Sequence, residues 1–264
     1  RLWFGSNEWE INPGVYRYNF QEWETFNTTN SGLASNGVNA IFGASNGNVW
    51  FAHNNNGYLS RLQGTTWITY TPESTGNVLP WGGIGAIGED AQGNMWFGSW
   101  EGAVRFDGSA WQRYTIKVGL VSNDISHIAR DGQGRMWFST YQGLSVYDGI
   151  TWTTYNQSNE LPTNQTGALF ADSQGRMWVG LYYYDDSNWE DSIYAGVFDG
   201  SSWTFYGLGN TNSLLSCQVE TFAEDLDGNI WATSCSSFVV FDGHRWSSRS
   251  DLSGNSSRML YDAR

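Results

Sequence analysis

The sequence predicts an all-β fold, a six-bladed β-propeller of four-stranded blades, and three observations lead to this class. A phrase centred on tryptophan, GNMWFGS at residues 93–99, is one of six variant copies in the chain. Each copy is followed by a second aromatic marker, such as AVRFDGSAWQRY at residues 103–114. No stretch shows the 3.6-residue apolar period of an amphipathic helix. Repeats of about 44 residues with several short strands are typical of propeller blades.

Within one repeat, four alternating runs follow each other in order. The first run, IGAIGED in the third repeat, ends at an Asp-x-x-Gly turn, and the tryptophan phrase forms the second run. The third run ends at Asp-Gly, which favours a hairpin between apolar alternations, and the fourth run carries another tryptophan. The twelve framework tryptophans are Trp3, Trp50, Trp96, Trp137, Trp178 and Trp231, then Trp23, Trp67, Trp111, Trp152, Trp203 and Trp246. We expect them to pack between blades, because stacked sheets need large flat side chains there.

The two ends of the chain are complementary parts of one repeat. The chain starts inside a second run, RLWFGS, and stops just after a first run, SSRMLYDAR. We therefore expect the C-terminal strand to complete the N-terminal blade and close the ring, which removes an open sheet edge. On this interpretation residues 1–264 form a single propeller domain of six repeats.

Residues that break the repeat are the candidates for function, because a widely used fold does not by itself define a site. Four tryptophans lie outside the framework: Trp9, Trp81, Trp100 and Trp189. All four fall in connections that emerge at the same end of a propeller. The loops at that end also carry His53, Glu101, Tyr141, Tyr182, Tyr183 and Asp185.

This aromatic and acidic loop face is the predicted ligand-binding surface. Aromatic rings stack on the C–H faces of sugars, while carboxylates and amides bond to their hydroxyl groups. The same residues would suit a cationic ligand or a protein partner. In the alternative interpretation, the long loops fold on themselves and their aromatic side chains only cap the blades.

The charge of the chain restricts its partners. With 13 basic and 26 acidic residues, the formal net charge is −13, so nucleic acid and anionic membrane surfaces are not expected to bind. No apolar run reaches the length of a membrane span, and direct membrane insertion is not expected.

Catalytic and metal-binding patterns are not evident. The histidines His53, His127 and His244 show no spacing typical of a metal site or a catalytic pair. The segment DDSNWED at residues 185–191 lacks the spacing of a calcium loop. We predict no cofactor, no metal and no catalytic residue, while a glycosidase-like pair of carboxylates stays an open alternative.

The two cysteines fall at nearly opposite positions of the last repeat. Cys217 opens its first run and Cys235 closes its second run, so a cross-strand disulfide is predicted. Such a bond would indicate an oxidising compartment, and the alternative is a pair of buried free thiols.

The repeat has the signature D-x-x-G-x-[MIL]-W-[FV]-G-[ST] followed by G-[LV]-x-[VR]-[FY]-D-G. This signature resembles the two-component-regulator propeller repeat and, more loosely, the streptogramin-lyase propeller. The first resemblance implies an extracytoplasmic region that senses a ligand, often a glycan. The chain departs from that pattern in having six units rather than seven. The second resemblance implies a His/Glu constellation near the channel, where the sequence offers His127 alone.

Together these observations predict a non-enzymatic, extracellular or periplasmic ligand-binding domain, a sensor or a carbohydrate-recognition module. One alternative is a scaffold that docks a protein partner through the loop face. Another is a propeller lyase or hydrolase.

Overall fold

The computed structural model describes residues 1–6, 14–54, 56–182, 193–207, 211, 218–234 and 237–249. The chain divides into two compact units, residues 1–128 and residues 129–264. Both units are built from small sheets in which each strand lies beside the next one in sequence. The predicted all-β class and the four-stranded repeat are confirmed.

The first unit contains three sheets. The first sheet has three strands: β1 (Leu2–Gly5), β2 (Val15–Tyr18) and β3 (Trp23–Phe26). The second has β4 (Val38–Gly43), β5 (Val49–His53), β6 (Leu59–Gln63) and β7 (Thr66–Tyr70). The third has β8 (Ile84–Glu89), β9 (Met95–Ser99), β10 (Gly102–Phe106) and β11 (Trp111–Tyr114). Single-turn 3₁₀ helices lie at Glu73–Thr75 and Ile116–Val118.

The second unit begins within the fourth sheet and contains the remaining strands. The fourth sheet has β12 (His127–Arg130), β13 (Met136–Thr140), β14 (Gly143–Tyr147) and β15 (Trp152–Tyr155). The fifth has β16 (Thr166–Ala171), β17 (Met177–Leu181), β18 (Ile193–Phe198) and β19 (Trp203–Gly207). The sixth has β20 (Val219–Glu224), β21 (Ile230–Ser234), β22 (Ser237–Phe241) and β23 (Trp246–Ser248).

The predicted strand from the C-terminus that would complete the first sheet falls on residues 250–264, outside the described residues. Ring closure and the single domain over residues 1–264 therefore stay predictions. The first sheet does begin inside a second run, as the sequence predicts, because β1 contains the LWFG of the first tryptophan phrase.

The tryptophans of the phrase form the centre of the packing between consecutive sheets. Those of the second to fifth repeats are at most 1% exposed: Trp50, Trp96, Trp137 and Trp178. The ring centroid of Trp50 lies 5.2 Å from that of Phe97 in the next sheet, and Trp137 lies 5.6 Å from Phe198. Trp178 lies 5.9 Å from Phe222 of the next sheet. These contacts confirm the predicted packing between sheets for Trp50, Trp137 and Trp178.

Four tryptophans of the second set pack on the preceding sheet: Trp67, Trp111, Trp203 and Trp246. Trp111 lies 5.1 Å from Tyr70 of the second sheet, between ring centroids. Trp23 is 60% exposed and stacks on Tyr18 of its own sheet at 4.8 Å. Trp152 likewise contacts Phe138 and Tyr147 of its own sheet. For Trp23 and Trp152 the packing between blades stays a prediction.

The Asp-x-x-Gly segments form the predicted turns and also bind the tryptophan that follows. In the third repeat, Gly93 N–H donates to the carbonyl of Asp90 at 3.1 Å, and the Trp96 indole N–H donates to Asp90 Oδ2 at 3.0 Å. Burial alone would raise the pKa of Asp90, but hydrogen bonds from Asn94 and Trp96 outweigh it and lower that pKa. The turn carboxylate is therefore ionised at neutral pH and fixes the orientation of the indole.

The Asp-Gly dipeptides form the predicted hairpin turns. Asp107 Oδ1 accepts the backbone N–H groups of Ser109 at 2.9 Å and Ala110 at 2.8 Å, and Gly108 has a φ of +99°. The bonds from Ala110 and Ser109 lower the pKa of Asp107 to about 2. A charged carboxylate and a left-handed glycine together define the turn.

In the first sheet, Asn19 and Phe20 occupy the corresponding turn. Asn19 Oδ1 accepts the backbone N–H groups of Gln21 at 2.9 Å and Glu22 at 2.8 Å, the same pattern as Asp107. Phe20 consequently has a φ of +75°, in the left-handed region that costs a residue with a β-carbon about 1–2 kcal/mol.

We expect Phe20→Gly to raise the free energy of unfolding by about 0.5–1 kcal/mol, measured by urea denaturation. Relief of the backbone strain outweighs both the extra freedom of glycine in the unfolded chain and the lost contact with Tyr18, whose ring centroid is 5.7 Å away. Phe20→Ala is the control, since it removes the ring and keeps the strain. A glycine variant less stable than the alanine variant would show that relief of backbone strain does not outweigh the extra freedom of glycine in the unfolded chain.

Candidate functional site

Two of the surplus tryptophans, Trp81 and Trp100, lie together in the first unit. Glu101 connects them: its Oε1 accepts the backbone N–H groups of Trp81 at 3.0 Å and Gly82 at 3.3 Å. The Glu101 Oε2 pairs with the Arg113 guanidinium at 3.0 Å. Both carboxylate oxygens are thus used to hold the loop before β8. Glu101, predicted as a ligand-binding residue, acts in this geometry as a positioning residue.

Trp100 is presented by a tight turn between β9 and β10. Ser99 Oγ donates to the carbonyl of Gly102 at 3.0 Å and accepts the N–H of Glu101 at 3.1 Å, which fixes the turn. The Trp100 side chain is 68% exposed and that of Trp81 is 56% exposed. A β-carbon on Gly82 would lie 1.8 Å from Trp100 Nε1, so the indole rests directly on the glycine backbone.

Beside Trp100 lies a cavity of about 250 Å³. Its polar lining comes from Asn39, Asn54, Ser99 and Asp124, and its remaining lining from Gly83, Gly85 and Ile125. The Asn54 Oδ1 is buried and has no hydrogen-bond partner within the part of the chain that the structure describes. An aromatic face, amides and an exposed carboxylate therefore converge on one open cavity.

His53 is not part of this surface, and its predicted place among the loops is wrong. It is the last residue of β5 and is fully buried. One ring nitrogen, Nδ1, lies 3.0 Å from the carbonyl of Gly37, and Nε2 lies 2.9 Å from Ser60 Oγ. The strand continues to His53, so its side chain packs inward.

Tyr141 occupies in the second unit the turn position that Trp100 has in the first. Thr140 Oγ1 donates to the carbonyl of Gly143 at 2.8 Å and accepts the N–H of Gln142 at 2.9 Å, as Ser99 does in the third repeat. Tyr141 is 62% exposed, and Tyr182, after β17, is 38% exposed. An exposed aromatic side chain after the second strand is thus repeated.

The other predicted site residues lie outside the described residues: Trp9, Tyr183, Asp185, Trp189, Cys217 and Cys235. Their grouping on one face and the disulfide stay predictions. His127 lies in β12, a first strand as predicted, and the N–H of His244 donates to Asp242 Oδ1 in the predicted turn.

Among the described residues, no group of three or more histidine, cysteine or acidic side chains could hold a metal ion. None of the helices in the described ranges is both long and apolar enough to cross a membrane.

Four segments match the family model of the two component regulator propeller: residues 32–55, 79–101, 119–142 and 160–183. Each segment spans the first two strands of a sheet and ends at or just beyond the turn after the second strand. The resemblance predicted from the repeat signature is therefore confirmed. A search of curated proteins gives no match.

Solved structures that resemble the chain share its propeller fold. The extracellular domain of BT3049 from B. thetaiotaomicron, described as a hybrid two component system, has a TM-score of 0.73 and 20% identity, over 94% of this chain and 32% of that one. This chain thus spans about a third of that domain. Virginiamycin B lyase from Staphylococcus aureus, solved with quinupristin, has a TM-score of 0.67 and 14% identity. The match covers 89% of this chain and 76% of the lyase chain. PorZ, a surface component of the type-IX secretion system of Porphyromonas gingivalis, has a TM-score of 0.62 and 15% identity. The match covers 86% of this chain and 35% of the PorZ chain.

Proposed function

We propose that this chain, four segments of which match the two component regulator propeller model, is a non-enzymatic, extracytoplasmic domain that binds a small neutral saccharide beside Trp100. The observation that carries the proposal is the Trp100 indole, 68% exposed at the edge of an open polar cavity. Ligand pockets combine aromatic side chains with a few polar groups, and Trp100 beside this cavity provides that combination.

The chemistry of the cavity suits a sugar ring. The indole face stacks on sugar C–H groups, and Asn54 Oδ1 offers a buried acceptor that a ligand hydroxyl would satisfy. Asp124 adds an exposed carboxylate. The cavity volume of about 250 Å³ is below the roughly 300–1,000 Å³ of sites for drug-sized ligands, so it fits about one sugar unit at a time.

The net charge and the similar structures support the same class of ligand and setting. A formal charge of −13 favours neutral over anionic ligands. The similarity to the BT3049 extracellular domain supports the fold and a role outside the cytoplasm, while the choice of a sugar rests on the cavity itself.

The test is saccharide binding by wild type and by Trp100→Ala on an array of neutral mono- to tetrasaccharides, followed by calorimetric titration of the best sugar. We expect the alanine variant to bind at least about 30-fold more weakly, since removing a central aromatic anchor costs about 2 kcal/mol or more. The melting temperature should stay the same, because the indole is mostly exposed.

The matched control is Trp23→Ala, which removes a tryptophan of similar exposure, 60%, that is not among the residues lining the cavity. It should bind the sugar like wild type. Wild-type protein that binds no neutral saccharide, or a Trp100→Ala variant with unchanged affinity, would remove the proposal.

A further inference from the structure

Four repeats place an aspartate carboxylate against the indole of the phrase tryptophan. The distances from Asp Oδ2 to indole Nε1 are 3.0 Å for Asp90 and Trp96, 2.8 Å for Asp131 and Trp137, 2.8 Å for Asp172 and Trp178, and 2.9 Å for Asp225 and Trp231. In three of these repeats an arginine also contacts the carboxylate: Arg105, Arg135 and Arg176. The carboxylate accepts an indole N–H in all four repeats. It also accepts the Nε–H of Arg135 and of Arg176 at 2.6 Å, whereas Arg105 Nε lies 3.6 Å from Asp90 and makes no hydrogen bond among the described residues.

The second repeat keeps the turn and lacks the carboxylate. Ala44 stands at the aspartate position and is 7% exposed. Its N–H donates to the carbonyl of Asn48 at 2.8 Å and its carbonyl accepts from Gly47 at 2.9 Å, against 2.9 and 3.1 Å for the equivalent bonds of Asp90. Gly47 and its counterpart have the same φ of +82°. The N–H of Asn48, whose counterpart in the third repeat donates to Asp90, donates here to Asn46 Oδ1 at 3.1 Å. The backbone turn is therefore kept without a carboxylate, and only the side-chain donors lack the acceptor that the other repeats have.

Two donors that would face this carboxylate have no partner. The indole nitrogen of Trp50, whose side chain is 1% exposed, is buried without a hydrogen bond in the described structure, and so is Arg61 Nε. The Arg61 guanidinium lies over the Trp50 ring, 5.4 Å from its centroid.

The third repeat shows where these donors would meet an anion. Arg61 is paired across the strands with Trp50, as Arg105 is with Trp96. Arg105 Nε lies 3.6 Å from the aspartate Oδ2 that also accepts the Trp96 indole N–H. By this register, the orphaned nitrogens of Trp50 and Arg61 both border the position of the missing carboxylate.

Glu89 of the next sheet contacts this turn, but its carboxylate is used by Ser45. Glu89 accepts hydrogen bonds from Ser45 N at 2.8 Å and Ser45 Oγ at 2.7 Å. The described ion pairs include none that involves Arg61. Arg61 is half-buried, and its guanidinium stacks on Trp50 and Tyr70, but its Nε is buried without a hydrogen bond. A buried N–H without a hydrogen-bond acceptor is costly, and an anion beside Trp50 Nε1 and Arg61 Nε would supply one to both.

We propose that the second repeat binds a small monovalent anion, a halide or a small carboxylate such as formate, between Trp50 Nε1 and Arg61 Nε. Formate has the size and charge of the aspartate carboxylate of the other repeats. Larger anions exceed the space that one side-chain carboxylate would fill. This site is independent of the saccharide proposed at Trp100.

The test compares melting temperatures in sodium formate and in a bulky anion, morpholinoethanesulfonate, at equal ionic strength and pH. We expect formate to raise the melting temperature of wild type by a saturating increment of about 2–4 °C. Ala44→Asp supplies the carboxylate internally, so it should melt higher than wild type and lose the response to formate. Ala44→Val fills the space without a charge and should also lose the response.

A second measurement does not depend on any variant. Crystals of wild type soaked in sodium bromide should show anomalous scattering between Trp50 Nε1 and Arg61 Nε. A peak there supports the site. An ordered water or no density there, an equal response to both anions, or a full formate response in folded Ala44→Asp would overturn the proposal.

Discussion

Replacing Asp172 with alanine is expected to lower the free energy of unfolding by about 3 kcal/mol, or the melting temperature by about 6–12 °C. The Asp172 side chain is fully buried. Its Oδ1 accepts the backbone N–H groups of Gln174 at 3.1 Å and Arg176 at 2.9 Å, and its Oδ2 accepts Arg176 Nε at 2.6 Å and Trp178 Nε1 at 2.8 Å. Removing the carboxylate leaves these donors unsatisfied beside a buried aromatic core. The expected loss lies at the lower end of the roughly 3–5 kcal/mol for breaking a buried ion pair. The reason is that the Arg176 side chain is 24% exposed and can be hydrated in part.

Asp199→Ala is the matched control for this loss. Asp199 also accepts backbone N–H groups, from Ser201 and Ser202 at 2.8 Å each, but it lies in an exposed hairpin turn. Water can replace the lost bonds there, so the decrease should be clearly smaller. Urea and thermal denaturation of both variants give the comparison. Equal losses would mean that the buried carboxylate contributes no more than an ordinary turn.

Replacing Gly82 with alanine is expected to weaken saccharide binding at least about tenfold without unfolding the protein. The new β-carbon would lie 1.8 Å from Trp100 Nε1 and 2.5 Å from Trp100 Cε2, so the indole has to leave its place. The exposed ring can rotate into solvent, which keeps the stability nearly unchanged and removes the stacking surface. Calorimetric titration would measure the loss of saccharide affinity. A shift of the Trp100 indole N–H resonance would show that the ring has moved.

Gly85→Ala is the control, because Gly85 also lines the cavity and a β-carbon there meets nothing within 4 Å. It should bind the sugar like wild type. If Gly85→Ala lost as much affinity as Gly82→Ala, the position of the indole would not be the cause.

The strands and turns of each sheet could be predicted from the sequence because the same pattern occurs six times. Phrase tryptophans, Asp-x-x-Gly turns and Asp-Gly hairpins are local signals, and each specifies contacts within a few residues. The exposure of Trp81 and Trp100 was also predictable, because neither residue belongs to the repeat.

Contacts between distant segments were not predictable in the same way. The role of Glu101 depends on Arg113 and on the backbone of Gly82, which the fold alone brings together. His53 was misplaced because loop length does not show where a strand ends. The lack of an acceptor for the Trp50 indole N–H could have been predicted from the sequence. The second repeat has alanine where the aligned turns of four other repeats have aspartate.

The aspartate and indole of each such pair are only six positions apart in the chain, as in Asp131 and Trp137. The phrase tryptophans Trp96, Trp137 and Trp178 are spaced by 41 residues. A duplicated or deleted segment of about this length would therefore contain both the aspartate and the indole of one hydrogen-bonded pair. Gain or loss of a whole unit during evolution then leaves the aspartate–indole bonds of the other units intact. Propellers with different numbers of such units would keep this internal bond in each of them.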